Sequence, residues 1–430
     1  MDESTFTQLG TRHTLAGERP FGLTLSDRLH HLHVIGQTGT GKTTFLKHLA
    51  IDDMHRGYGL AFIDPHGDAA VELLDHVPPQ RMRHVVYLNP SNRSHCFGLN
   101  LLQSVPPQER DRVTQNVVGT FRYHWIDSWG ARMEWIFKNT VRALLDCPTR
   151  SGSTLLGVPR MYSDPSYRAS VVSHIKNPEA LSFWTSSFSS WNDRQRSEYT
   201  APVVNKVAQF LLSDVLRNTL GQSFSTIDLP YIMDNRRILI VNLDKGQLGA
   251  DDANLLGSLL VTAMQLAALK RSAIPIKRRV PFFCYLDEFH SFSTRAFTSI
   301  LSESRKYKFG LIAAHQYIDQ MHDEVRAAIF GNVGTTVAFR VGGDDAADLS
   351  RHLGLPPTSL EELSRGEVAV KLTSAGATDS FFGNASQPAE SSYHGRSHKL
   401  IPYSIARYTK PAREVEERIA RWLSPRTPHA

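Results

Sequence analysis

The sequence predicts an α/β fold, a doubly wound and mainly parallel sheet interrupted by a mostly helical insertion. Three observations predict it. Short apolar runs recur along the chain, and they are continuous instead of alternating, as parallel strands covered on both faces require. Helical patterns lie between several of these runs. From about Pro106 to Gly221 that rhythm gives way to helical patterns dense in aromatic residues.

In chain order, the expected strands are Leu32–Ile35, Leu60–Ile63, Val85–Leu88, Ile238–Leu243, Phe282–Leu286 and Leu311–Ala314. Thr336–Val341 and Val368–Leu372 are expected to extend the same sheet. The clearest intervening helices are Thr43–Met54, Ala253–Lys270 and Phe297–Tyr307. Within the insertion, Arg110–Phe121, Met133–Leu145 and Val203–Leu216 have helical spacing, and Trp125, Trp129, Trp135, Trp184 and Trp191 crowd together. The expected layout is an N-terminal segment over residues 1–19, a discontinuous core over 20–105 and 222–385, and the insertion over 106–221. A Ser-, Pro-, His- and Arg-rich arm from Ser386 is expected to pack loosely and to carry one helix, Ala412–Leu423.

Composition narrows the class. Apolar residues make up 41% and charged residues 21%, ordinary for a soluble globular chain. A net charge of +6 fits an anionic partner without establishing one. Cys96, Cys147 and Cys284 lie far apart with no Cys-x-x-Cys spacing, which argues against a disulfide framework or a zinc site. Met1 to Gly10 is polar and has no secretory pattern. The most apolar helix candidate, Ala253–Leu269, carries Asn254, Ser258, Thr262 and Gln265, so it reads as a buried helix and not a membrane span. The expectation is a cytoplasmic protein with no membrane span of its own.

The chemistry is concentrated in Gly36-Gln37-Thr38-Gly39-Thr40-Gly41-Lys42-Thr43, a complete G-x-x-x-x-G-K-[ST] match between an apolar strand and a helix that opens with Thr43-Thr44. The glycines let successive N–H groups point inward at a β-phosphate, and the new helix adds its positive end. Lys42 is expected to reach the β- and γ-phosphates, and the Thr43 hydroxyl to meet Mg2+. The strand Phe282–Leu286 runs into Asp287-Glu288. Asp287 is expected on the metal's water shell and Glu288 beside the attacking water. No Asn-Lys-x-Asp base reader is present, so ATP is favoured over GTP. At the tip of the next strand, Gln316 is placed to touch the γ-phosphate. Arg305 is the leading candidate for an arginine supplied to a neighbouring subunit. Asp64, in Asp64-Pro65-His66-Gly67, should lie at the same carboxyl edge as a magnesium outer-shell or subunit-contact residue.

These residues resemble the HerA/FtsK superfamily of DNA-pumping ATPases. The likeness lies in Asp27-Arg28-Leu29-His30-His31 leading to the P-loop, in Ile63-Asp64-Pro65-His66-Gly67, in Leu286-Asp287-Glu288-Phe289 and in Ala314-His315-Gln316-Tyr317. Within that superfamily, Tyr87-Leu88-Asn89-Pro90, Gly98-Leu99-Asn100, Val241-Asn242-Leu243-Asp244-Lys245-Gly246 and Ser302-Glu303-Ser304-Arg305-Lys306-Tyr307 are similar to the coupling proteins of type IV secretion and conjugation. The resemblance spans roughly Pro20 to Ala385. It implies a RecA-like core, a homohexameric ring with a central DNA channel, and ATP hydrolysis at subunit interfaces. It also implies Glu288 as catalytic, Arg305 as the trans-acting arginine and Gln316 as the γ-phosphate sensor. Membrane-anchored coupling proteins carry transmembrane helices before the core. Here a short polar stretch stands there, which leaves soluble DNA-end-processing, defence and packaging motors as alternatives.

Candidate phosphate contacts are Arg194, Arg196, Arg271, Lys277, Arg278 and Arg279, and no sequence-reading motif accompanies them. Trp125, Trp129 and Trp191 could stack on bases, although packing within the insertion explains them better. Three functions stay open on the sequence: a DNA translocase, a ring ATPase that scaffolds an effector such as a nuclease, and a motor for a protein substrate.

Overall fold

The computed structural model describes residues 6–149, 153–374, 376–391 and 393–424. In chain order the strands are β1 (Phe6–Thr14), β2 (Gly17–Thr24), β3 (Leu32–Ile35), β4 (Gly59–Asp64), β5 (Val85–Leu88), β6 (His95–Cys96), β7 (Ile238–Asn242), β8 (Phe282–Leu286), β9 (Phe309–His315), β10 (Thr335–Ala338), β11 (Glu367–Ser374), β12 (Ala377–Ala385) and β13 (Lys410–Pro411). An 11-stranded sheet has the order β2-β1-β12-β11-β10-β3-β9-β8-β4-β7-β5. From β10 through to β5 every neighbour is parallel. The β11, β12, β1 and β2 end is antiparallel. This is the α/β, mainly parallel architecture that the apolar runs imply.

The described residues divide into two compact units. The first takes Met1–Leu88, Leu229–Asp244 and Met264–Ser404. It contains the whole 11-stranded sheet. Every residue of β3, β4, β5, β7, β8 and β9 is buried, which is why their sequences read as unbroken apolar runs. Phe45, Leu46 and Leu49 of the helix Lys42–His55, and Leu73 and Leu74 of the helix Asp68–Asp75, share one core cluster with Leu60, Phe62, Ile240 and Tyr285. Beneath it Arg28 is buried, and pairs with Asp53 while donating to the Tyr285 hydroxyl at 2.9 Å.

The second unit takes Asn89–Asp228, Lys245–Ala263 and Ile405–Ala430. Its principal helices are Arg110–His124, Ala131–Asp146, Asp193–Leu211 and Ala412–Leu423. Asp146 is a polar tie within it. Its carboxylate accepts from Arg110, from Arg142 at 2.7 Å, and from the N–H of Lys176 at 2.8 Å.

Two stretches depart from the sequence expectation. The polar N-terminal segment over 1–19 supplies, in its described part, β1 and the start of β2, and β12 joins them. These strands are only partly buried, so they carry few apolar residues and no continuous apolar run. In β1 and β2 the buried apolar residues are Leu9, Phe21 and Leu23. The arm after Ser386 is also tighter than expected. It forms a helix, Ser397–Tyr408, with Leu400 buried and the Ser404 hydroxyl accepting from the Tyr87 N–H at 3.1 Å. Pro402 within that helix hides its periodicity.

Among the described residues one helical stretch, Ala250–Ala273, is long and apolar enough to cross a membrane, and 72% of its most apolar window is buried in the protein. A core helix passes the same test.

Candidate nucleotide site

Strand register builds the site. Ile35 lies beside His315, Ala313 beside Leu286, Leu286 beside Ile63, and Asp64 beside Asn242. Four strands therefore end together, and Gly36, Gln316, Asp287 and Pro65 leave the sheet along one carboxyl edge. That edge is where open α/β sheets bind ligands.

After β3 the chain loops from Gly36 to Gly41 and enters the helix Lys42–His55. Gly36 admits no side chain, because a Cβ there would stand 2.6 Å from the Phe339 Cβ. Gly41, the residue before the helix, has φ +122°, a conformation that L side chains rarely adopt. The loop is tied at both sides. Gln37 N–H donates to the Arg340 carbonyl at 2.8 Å, and the Thr40 hydroxyl donates to the Gln37 carbonyl at 2.7 Å. Gln37, Thr38 and Gly39 are exposed at the rim, while Thr40 is buried, and Thr43 and Thr44 are half-buried. Lys42 folds back over the loop, its Nζ donating to the carbonyls of Gly36 at 2.6 Å and Gln37 at 2.9 Å. Burial lowers the Lys42 pKa, and Asp287 and Glu288 oppose that shift.

The two acids follow β8 at the same edge. The Thr43 hydroxyl donates to Asp287 Oδ2 at 2.6 Å. Asp287 is buried, and burial pushes its pKa up against the Thr43 bond. Glu288 follows in the left-handed region, φ +46° and ψ +47°. Such a conformation is uncommon for a non-glycine residue and aims the side chain away from the strand line. Its Oε1 accepts from Gln316 Nε2 at 2.9 Å, so the acid after β8 and the amide after β9 meet directly.

Asp64 is buried, and both its oxygens take backbone N–H groups, from His66 and from Ala70, each at 2.9 Å. It holds the loop that carries His66. His66 Nε2 lies 3.0 Å from the same Glu288 Oε1, and this hydrogen bond, above burial, raises the His66 pKa. His66 has no assigned role in the sequence pattern, and its signal there is its place two residues past Asp64, at a shared strand edge.

Arg305 stands elsewhere. It is exposed in the turn Ser304–Tyr307 that precedes β9. That is the amino edge of the sheet, about 20 Å of strand away from Gln316. Arg305 and Glu288 of one chain are not brought together.

Several expected phosphate contacts are structural. Arg271 is buried and donates to Asp234 and to the Tyr307 carbonyl, each at 2.8 Å. Arg279 is buried against the carbonyls of Ile274 and Lys306. Arg196 bonds Asp193 and the Ser189 carbonyl. Arg194, Lys277 and Arg278 remain exposed. Trp129 packs on Phe137 and Trp191 on Tyr199, so these rings serve the helical unit.

A family model described as the type IV secretion-system coupling protein DNA-binding domain matches residues 20–366. The chain belongs to the type IV coupling-protein family. A similar coupling protein is DotL of Legionella pneumophila subsp. pneumophila, 22% identical over 384 residues. The match covers 73% of this chain and 48% of DotL, so the chain spans about half the length of that relative. Among solved structures, the plasmid coupling protein TrwB in complex with the non-hydrolysable ATP analogue ADPNP superposes with a TM-score of 0.61 at 18% identity, covering 91% of this chain and 97% of TrwB. TrwB in complex with ADP and Mg2+ gives 0.57 at 17% identity and the same coverage. VirB4 of Thermoanaerobacter pseudethanolicus gives 0.56 at 13% identity, covering 92% of this chain and 99% of VirB4. These likenesses establish for this coupling protein the RecA-like P-loop fold that its sheet order displays.

Proposed function

We propose that this coupling protein is an ATP-hydrolysing subunit of a homohexameric ring that grips DNA by its backbone and translocates it. It works in the cytoplasm beside a secretion, packaging or effector partner protein. The observation that carries the reading is the convergence of the Gly36–Thr43 loop, the Thr43–Asp287 pair and the Glu288–Gln316 pair on one sheet edge. The family model's description as a DNA-binding domain supports DNA as the substrate. The TrwB complexes with an ATP analogue and with ADP and Mg2+ support ATP and Mg2+ as ligands.

A hydroxyl and a buried carboxylate 2.6 Å apart form an all-oxygen donor pair of the kind Mg2+ takes, so the residues present fit that ion. Thr43 and Asp287 would hold it, and when bound it neutralises charge on the phosphates. The protein's own groups do the rest. The loop N–H groups from Gly36 to Thr43 and the positive helix end cradle the phosphates. Lys42 turns from the Gly36 and Gln37 carbonyls to the β- and γ-phosphates. Glu288 takes the proton of the attacking water, and Gln316 contacts the γ-phosphate. Thr44 and Asp64 support the loops, and Arg305 serves the site of a neighbouring subunit.

The test joins three measurements: particle mass with a non-hydrolysable ATP analogue, ATPase rate with and without DNA, and affinity for two unrelated duplexes across a salt series. The expected result is a hexamer, a DNA-stimulated rate, and binding that ignores sequence and falls steeply with salt as counterions are released. A hexameric ATPase indifferent to DNA overturns the translocase reading in favour of a scaffold or a protein-substrate motor.

A further inference from the structure

The neighbouring strands β3 and β9 each carry a buried histidine, His33 and His315. Their Nε2 atoms are 2.7 Å apart, and His315 Nδ1 lies 3.1 Å from the Tyr317 carbonyl oxygen. A carbonyl can only accept, so Nδ1 carries the His315 proton and Nε2 its lone pair. His33 must then donate through its Nε2–H. Its Nδ1 is left as a lone pair, and that atom is buried with no hydrogen-bond partner among the described residues. The bonds therefore run in one direction, from His33 through His315 to Tyr317, with both rings neutral. Burial acts in the same sense and holds both histidines well below the ordinary imidazole pKa.

This pair stands behind the nucleotide site. His315 is the last residue of β9, and its own carbonyl accepts from the N–H of Gly36, the first residue of the P-loop, at 3.3 Å. Its ring reaches past Gln316 to the next carbonyl. The N–H groups of Gln316 and Tyr317 both donate to Gln320 Oε1, at 3.1 and 3.3 Å. Side chains thus hold the backbone on both sides of Gln316, and the Gln316 amide meets Glu288 at 2.9 Å. Phe330 packs edge-on against His33 and Phe289 against His315, which clamps the two rings. Rings needed only to fill this space could be apolar, because burying polar groups costs stability unless their bonds are used.

We propose that His315 is a positioning residue for ATP hydrolysis: its Nδ1–H, fixed in that tautomer by His33, holds the Tyr317 carbonyl and so sets the Gln316 amide against the γ-phosphate. The inference rests on the reading of Gln316 as the γ-phosphate contact. His315 touches no phosphate and moves no proton in this role. It contributes orientation, and losing it should cost about tenfold in rate.

The test uses the full chain, with kcat and KM for ATP measured for His315→Gln, His315→Asn and His33→Phe, and for His315→Gln combined with Gln316→Ala. His315→Gln places its amide where Nε2 stood and loses the donor to Tyr317. It is expected to lose about tenfold in kcat with KM changed less than about twofold. His315→Asn places an amide N–H where Nδ1–H stood and should keep most of the parental kcat. His33→Phe, which frees the His315 tautomer, should lower kcat in the same way as His315→Gln but less. In the Gln316→Ala background His315→Gln should cost nothing further, since no amide remains to be set. Thermal melting separates these effects from misfolding, and His33→Phe carries the test where His315→Gln fails to fold. Unchanged kcat in the folded variants, equal losses in His315→Gln and His315→Asn, a loss confined to KM, or a full additional loss in the double variant overturns the proposal. Wild-type turnover by Gln316→Ala alone overturns the underlying assignment of Gln316 instead, so the two failures are distinct.

Discussion

Thr43 and Asp287 are joined by a 2.6 Å hydrogen bond between the first turn of the loop helix and the end of β8. Asp287 is buried, and its burial raises the pKa of its carboxyl. The position therefore costs stability as a charge and repays it only through what the charge holds. Asp287→Asn keeps the Thr43 contact and removes the charge. The expected outcome is a loss of at least about a hundredfold in Mg2+-dependent ATP hydrolysis with an unchanged or higher melting temperature. Melting well below the parent would mark Asp287 as structural.

Lys42 is expected to behave differently. Its ammonium is shared between the Gly36 and Gln37 carbonyls, so it supports the loop as well as neutralising phosphate. Lys42→Ala should abolish ATPase activity and weaken ATP binding by tenfold or more, on the order of 1.4 kcal/mol at the least. Equilibrium binding of a fluorescent ATP analogue together with turnover measures both. Full turnover in a contaminant-free preparation would sink the nucleotide-site assignment.

How much of this was legible in the sequence follows from which groups face solvent. β3, β5 and β8 have the bounds that their apolar runs give, because parallel strands covered on both faces must be apolar throughout. β1, β2 and β12 were hidden because they are only partly buried and carry few apolar residues, so no continuous apolar run marks them. The P-loop and Asp287-Glu288 were legible because phosphate chemistry demands fixed residue types at fixed spacing. The bond from Gln316 to Glu288 was not, since it depends on β9 lying beside β8, a pairing that no local pattern encodes. Arg271 and Arg279 misled for a related reason: a cation that caps buried carbonyls looks, in sequence, like one that waits for phosphate.

The position of Arg305 makes a specific prediction about assembly. In its own chain it is separated from Gln316 by the length of β9, so a role in hydrolysis requires a second subunit. Arg305→Ala should cut hydrolysis by orders of magnitude while ATP affinity stays comparatively intact. Mixing Arg305→Ala chains with Glu288→Gln chains, each inactive alone, should restore activity. A mixed interface then pairs an intact Glu288 with an intact Arg305. No recovery in rings shown to be mixed would remove Arg305 from the site.

Asp146 supplies a prediction about pH. Burial by itself would raise its pKa, but the Lys176 N–H, Arg142 and the Asn177 N–H together outweigh burial and hold it below the ordinary carboxylate value. A carboxylate whose folded pKa is depressed stabilises the protein above its unfolded pKa, and that stability is lost as pH falls through the folded value. Asp146→Ala, which takes from Arg110 its carboxylate partner while Arg142 keeps Asp111, should destabilise by about 3 kcal/mol at pH 7. The difference between parent and variant, measured by urea unfolding, should be flat above about pH 5 and shrink steadily below about pH 4. A difference that grows on acidification would contradict the sign and require Asp146 to be held in its protonated form. The accepted bonds argue against that outcome, because two of the donors to Asp146 are guanidinium groups and two are backbone N–H groups, and none of them has a lone pair to receive a carboxyl proton.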